Sequence, residues 1–225
     1  MKKALFLYLF FLTTTIFAQN IVLNKVVKTH PNTDKFFYRI NPENTSAEYL
    51  GEIEIQGFSD DDAKVFGMIY KKAKEVGANA FAFKPFELVD GTSSDFDPIN
   101  YKLSLYYASA SDFEKEDNVA YFIASPYKKQ TISINKEKIL FEPRTFTKIT
   151  LEPGEIYTVS TQKLLGSTIK IGAQENQPVQ YFQLSGFAVN TNSYGSAGIH
   201  LKSGDIMKLE QSYAQFLTTI YKYFK

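Results

Sequence analysis

Glu52-Ile53-Glu54-Ile55-Gln56, running on through Gly57-Phe58-Ser59-Asp60-Asp61-Asp62, is the stretch on which the fold turns. In its first five residues polar and apolar side chains alternate, which places Ile53 and Ile55 on one face of a half-buried strand. The period then changes. Ala63, Phe66, Ile69, Tyr70, Ala73 and Val76 recur at helical spacing, and Lys71, Lys72 and Lys74 crowd the far end. Ser59 stands where an N-cap belongs, and Asp62 three residues later resembles a shortened capping box. The three aspartates suit the positive end of the helix dipole, and Gly77 suits the left-handed residue that closes a helix.

Working outward from this core, Ala80 to Val89 reads as a strand interrupted by Pro85, a residue that marks a bulge or an edge. The turn-rich Asp90-Gly91-Thr92-Ser93-Ser94 leads to a strand in which Tyr101, Leu103, Leu105 and Tyr107 share a face. Residues 48–109 therefore form a βαββ domain in an α+β chain. Residues 19–47 are a lead-in segment, in which Ile21-Val22-Leu23 suits a short strand and Phe36 to Ile40 an edge strand. Residues 110–118 are polar and charged, and they read as a linker.

Beyond the linker, residues 119–225 change texture to short strands separated by turns, with Pro153-Gly154, Gly166 and Asn176-Gln177-Pro178 as punctuation. The strands fall at Val119–Ala124, Thr131–Asn135, Thr145–Leu151, Ile156–Thr161, Ser167–Gly172 and Val179–Gly186, with a last one at Ile199–Lys202 after a turn at Ser193–Ser196. Such spacing predicts a small antiparallel β-sandwich. Leu209, Tyr213, Phe216, Leu217, Ile220, Tyr221 and Phe224 recur at helical spacing and predict a C-terminal amphipathic helix over Met207–Phe224. Core packing is the commoner use of such a stripe, and a partner-binding surface is the alternative.

The chain opens Met1-Lys2-Lys3, followed by the apolar run Ala4 to Phe17 and the small residue Ala18. Two lysines, a short apolar stretch and a small residue are the three parts of a cleavable secretory signal peptide over residues 1–18, cut between Ala18 and Gln19. A spanning helix needs about 20 predominantly apolar residues; this run is shorter and carries three threonines. The expectation is a periplasmic or secreted protein with no stable membrane insertion after cleavage. The chain has 25 Lys+Arg against 24 Asp+Glu, and losing Lys2 and Lys3 leaves 23 against 24. So balanced a chain has no global electrostatic reason to bind nucleic acid. Its only arginines are Arg39 and Arg144, too few for a bidentate phosphate-binding surface. It contains no cysteine, so neither disulfides nor a lipid on cysteine can hold it, and stability must come from packing.

The segment Tyr49-Leu50-Gly51-Glu52-Ile53, a helix, and then Val76-Gly77-Ala78-Asn79-Ala80-Phe81 resembles a bacterial βαββ family. It is similar to the family described as heavy-metal-binding and to the outer-membrane Rcs stress-sensor lipoprotein, over roughly residues 48–108. The sensor's cysteines are missing here, and no metal-ligand set accompanies the motif. Val119-Ala120-Tyr121-Phe122-Ile123, the run Thr147 to Val159 around Pro153-Gly154, and Pro178 to Leu184 resemble bacterial envelope β-sandwich domains found in lipoproteins. The basic residue expected after the opening strand is replaced by Ala124-Ser125. Both resemblances imply an envelope module, and neither implies catalysis.

Few residues invite chemistry. His30 and His200 are the only histidines and lie in different domains; without cysteine, a zinc site would need carboxylates to converge on one of them. Asp90, Asp95 and Asp97 suggest calcium, but they do not follow the EF-hand pattern, and aspartates in turns usually cap backbone. There is no Gly-x-Ser-x-Gly or His-Glu-x-x-His element. The expectation is therefore no catalytic residue, no cofactor and no metal. The chain reads as a non-enzymatic envelope protein that binds a protein partner of the envelope. The alternative is a glycan or small-ligand binder that uses exposed aromatics such as Tyr106. A hydrolase comes last, since it would require a deep polar cleft joining acids from both domains.

Overall fold

In the computed structural model of the chain, residues 19–88, 92–161, 166–184, 202–203 and 205–224 are described. The signal segment with Ala18, together with Asp90, the 193–196 turn and His200, lies outside the described residues, whereas Gln19 immediately precedes the first strand. The protein is mixed α+β and mostly sheet.

The first sheet is built from β1 (Asn20–Val26), β2 (Tyr38–Arg39), β3 (Ala47–Gln56), β4 (Ala80–Lys84) and β5 (Tyr101–Ala108), in the order β1-β3-β5-β4-β2. Only the β2–β4 pair is parallel. The 19–47 segment thus supplies both edges of this sheet. Ile53 and Ile55 face inward as their alternation requires, alongside Leu103 and Leu105. Onto that face packs α1 (Asp62–Glu75) through Val65, Ile69 and Ala73. The cap is Asp61, one of two differences at this end: its side chain accepts from the Lys64 amide, while Ser59 Oγ receives the Asp61 amide. Ser59 serves a turn before the helix because the helix starts two residues later than its spacing suggested. Pro85 ends β4 at Lys84 rather than bulging it, since it has no N–H to continue the ladder.

Two glycines of the N-terminal motif have architectural reasons. At Gly51 a Cβ would lie 2.2 Å from the Lys25 carbonyl oxygen, where the bulge in β1 crosses closely over β3. Gly77 has φ +78°, and a Cβ there would lie 1.8 Å from the His30 carbonyl oxygen. Asn79, fully buried, accepts from the Ala108 amide at 2.9 Å and donates to its carbonyl at 2.8 Å, and so ends β5 with side-chain bonds.

The second half contains β6 (Val119–Ile123), β7 (Gln130–Ile134), β8 (Glu137–Phe141), β9 (Thr145–Thr150), β10 (Ile156–Thr161), β11 (Thr168–Gly172), β12 (Gln180–Leu184), β13 (Lys202–Ser203) and β14 (Ile206–Lys208). It ends with α2 (Gln211–Ile220) and β15 (Lys222–Tyr223). A four-stranded sheet, β11-β10-β7-β8, faces a six-stranded one, β13-β14-β12-β6-β9-β15, across a core of Phe122, Ile132, Phe141, Val159, Phe182 and Leu184. The antiparallel expectation fails at two pairs: β12 with β6 and β15 with β9 are parallel. Each joins strands distant in sequence, which leaves the length that a parallel return requires.

The C-terminal helix is shorter than its periodicity suggested. Ile206–Lys208 is strand, and Tyr221 and Phe224 lie beyond the helix. On its other side the six-stranded sheet presents Tyr121, Ile123, Phe146 and Tyr181, and α2 packs there with Ala214, Phe216, Leu217 and Ile220. The same core continues into α1 and the first sheet. The order of layers is therefore four-stranded sheet, six-stranded sheet, helices, five-stranded sheet.

Candidate functional site

The helical layer divides the polar chemistry into two places. One is the seam where the N-terminal turn of α1 meets the second half. There the Asp62 carboxylate lies 3.1 Å from an Arg144 guanidinium nitrogen and accepts from the Tyr221 hydroxyl at 2.6 Å. Arg144 also donates to the Ser59 carbonyl at 2.8 Å, and the Tyr127 hydroxyl donates to the Asp60 carbonyl at 2.9 Å. The guanidinium sits 5.4 Å from the Phe58 ring centre and 5.8 Å from that of Tyr221. Arg144 is held at φ +55°, a left-handed conformation uncommon for a side-chain-bearing residue. Burial pushes the Asp62 carboxyl above its ordinary value, and the opposing pull of Arg144 and Tyr221 does not cancel it. Burial and the Asp62 charge likewise raise the Tyr221 phenol, so it remains a donor at any ordinary pH. Phe58 and Tyr127, 60% and 62% exposed, stand at the rim.

The other place is the outer face of the first sheet, opposite both helices. Glu52 is held there by Lys84 at 2.9 Å and Lys102 at 3.3 Å, and Asn24 donates to neighbouring Glu54 at 3.0 Å. Beside this ionic group Tyr49 and Tyr106 meet edge to face, 5.5 Å between centres. Farther along, Phe36 stacks on Tyr38 at 4.7 Å, and Phe113 stands edge-on to both over a floor of Ala80 and Ala108. Half of the outer face is thus ionic and half aromatic.

Residues singled out from the sequence are scattered. His30 stacks on Tyr107 with ring centres 3.5 Å apart. Asp97 accepts from the Ile99 amide and from Asn100, both at 2.8 Å. Burial opposes its charge, but those bonds outweigh burial and lower its pKa. Asp95, Phe96 and Asp97 line an open depression of about 510 Å³. Among the described residues no group of three or more His, Asp or Glu could hold a metal ion, and no helix is long and apolar enough to cross a membrane. Tyr106 lies half-buried on the outer face, paired with Tyr49.

Sequence reasoning passed over Arg144 and Tyr221 as partners of Asp62. Tyr221 is 159 residues from Asp62, so no local spacing could join them. The one available signal was Arg144's rarity as one of two arginines. Comparison of the chain with protein-family models gave no match, nor did comparison with curated proteins or with solved structures.

Proposed function

We propose that this chain is an exported, non-enzymatic envelope protein that binds another envelope protein through the outer face of its first sheet. The observation that carries this reading is the division of the aromatic surface. The aromatic stripe of α2, the first candidate for a partner surface, is spent in the core between the layers. What remains grouped on one face is Tyr49, Tyr106, Phe36, Tyr38 and Phe113. Aromatic side chains supply contact area at little entropic cost and are enriched at interfaces. Export is supported by the Lys2-Lys3 and apolar opening. A cut after Ala18 removes no residue of the described structure, whose first strand begins at Asn20. The βαββ unit and the sandwich, with their resemblances to envelope modules, belong to this proposal.

The test is a pull-down from envelope extracts with the chain from Gln19 onward, beside a Tyr49→Ser/Tyr106→Ser variant whose circular dichroism matches wild type. A partner retained by wild type and lost by the variant supports the reading. A monomer that recovers no partner under several conditions, or equal recovery by both forms, counts against it.

One observation favours a second reading. The Tyr49–Tyr106 pair adjoins Glu52, Lys84 and Lys102, so rings for stacking lie beside polar groups for hydrogen bonding, as a glycan binder requires. Sedimentation with peptidoglycan and soluble polysaccharides separates the two, and no retention eliminates the glycan reading.

A further inference from the structure

Segment 205–224 touches all three sheets and the other helix. β14 pairs with β12, and β15 pairs with β9. Phe224 stands edge-on to Phe141 inside the sandwich core, 4.8 Å between centres. On its other side α2 contributes Phe216, which meets Phe66 of α1 at 5.4 Å, and Tyr213, which meets the same ring at 5.3 Å.

Three polar side chains of the segment, Ser212, Gln215 and Tyr221, bond to the first half. β2 pairs on one side with β4; on the other, the Phe37 amide donates to Ser212 Oγ at 3.1 Å and the Arg39 amide to Gln215 Oε1 at 2.8 Å. Two side chains three residues apart on a helix thus satisfy the outward N–H groups of an edge strand. Tyr221 completes the set by donating to buried Asp62. These contacts span 175, 176 and 159 residues of chain.

We propose that segment 205–224 is a closing latch: neither the β2 edge with α1 nor the inner face of the six-stranded sheet reaches its native state until α2 has docked. Before docking, two strand amides and the Asp62 carboxylate lack these partners, and the inner aromatic faces of both halves meet water. Closing loops of such length costs entropy that only the finished interface offsets. A chain crossing a membrane N-terminus first would receive its latch last and stay unfolded in transit. That consequence rests on the export reading above; the latch itself does not.

Native-state hydrogen exchange on the purified protein, wild type beside Leu217→Ala, tests the latch. Leu217 is fully buried in α2. The slowest amides of β3 and β5 and those of β6 and β12 should accelerate by one common factor, about thirtyfold or more for truncating a buried leucine. Wild-type rates in β3 and β5 beside fast exchange in α2 would overturn the proposal. Should Leu217→Ala fail to fold, Gln215→Ala decides. It deletes the bond to the Arg39 amide, and a common acceleration of about fivefold is expected for one hydrogen bond. Acceleration confined to α2 and β2 overturns the latch equally.

Discussion

Glu52 and Asp62 are hidden to the same degree, 4% and 5% exposed, yet their carboxyl groups move in opposite directions. For both, burial is the largest influence and raises the pKa. At Glu52, hydrogen bonds and charge from Lys84 and Lys102 outweigh it, and the group ends below its ordinary value. At Asp62, Arg144 and Tyr221 do not outweigh it, and the group ends above. The difference lies in what does the hiding. Glu52 projects from an open sheet face and is covered by the side chains of Lys84 and Lys102, 38% and 18% exposed. Asp62 lies where α1, the second half and the C-terminal segment meet, with Tyr101 and Tyr213 close enough to feel its charge. Equal accessibility does not mean equal desolvation: a thin cover of flexible cations leaves a carboxylate solvated in effect, whereas a packed seam does not.

The largest effect should come from removing the cation at the seam. Arg144→Ala takes away the charge that Asp62 faces, together with the bond to the Ser59 carbonyl. Breaking one side of a buried pair costs about 3 kcal/mol, readable as a lower urea midpoint. On the outer face Lys84→Met should cost under about 1 kcal/mol, because Lys102 remains beside Glu52. Equal losses in the two variants would erase the contrast between the sites.

Asp62→Asn sharpens the same contrast. Arg144, 21% exposed and still bonded to the Ser59 carbonyl, is not left as a buried unpaired charge. Neutralising a carboxyl that burial already resists should therefore leave stability within about 1 kcal/mol of wild type. The sign of the pH dependence follows from the raised pKa. Above the ordinary value of 3.8, the folded protein holds a proton that the unfolded chain has released, until the pH passes the folded value. Wild type therefore loses stability as the pH rises through that window. The difference in urea midpoint between wild type and Asp62→Asn, followed upward from pH 3.8, should fall with rising pH; a rising difference would show that Arg144 wins after all.

The contrast between these sites also marks what could be read from the sequence. The face carrying Glu52 was legible, because Glu52-Ile53-Glu54-Ile55 alternates and strand geometry turns alternation into sidedness. Gly77 was legible as a helix end for the same local reason. The seam was not. Ser59 looked like the cap because capping signals repeat along Ser59-Asp60-Asp61-Asp62, and only backbone geometry selects Asp61. Asp62 looked like a dipole partner, since its position in the first turn is local information whereas its pairing with Arg144 and Tyr221 is tertiary. The helical periodicity continues by coincidence through Tyr221 and Phe224, which flank β15, Tyr221 serving the seam and Phe224 the sandwich core. The β8 hairpin strand was missed because Asn135-Lys136-Glu137-Lys138 shows polarity without alternation. Its turn needs positive φ at Asn135 and Lys136, only the first of which favours it by type.

The effect at Glu52 is of the same small size and runs the other way with pH. Glu52→Gln removes a charge that two lysines stabilise, at a cost of about 1 kcal/mol at neutral pH. Because the folded pKa lies below the ordinary 4.5, the folded protein keeps Glu52 ionised where the unfolded chain has begun to take up a proton. The pairing therefore contributes fully above 4.5 and fades as the pH falls through the lowered folded value. Measured against Glu52→Gln, wild type should lose its advantage on acidification, the reverse of its behaviour against Asp62→Asn. Added salt should shrink the Glu52 difference, whose lysine partners reach solvent, and leave the Asp62 difference nearly unchanged, since screening acts weakly on buried pairs. If both differences shrink together with salt, the seam is as wet as the sheet face, and the two carboxylates differ in partners alone.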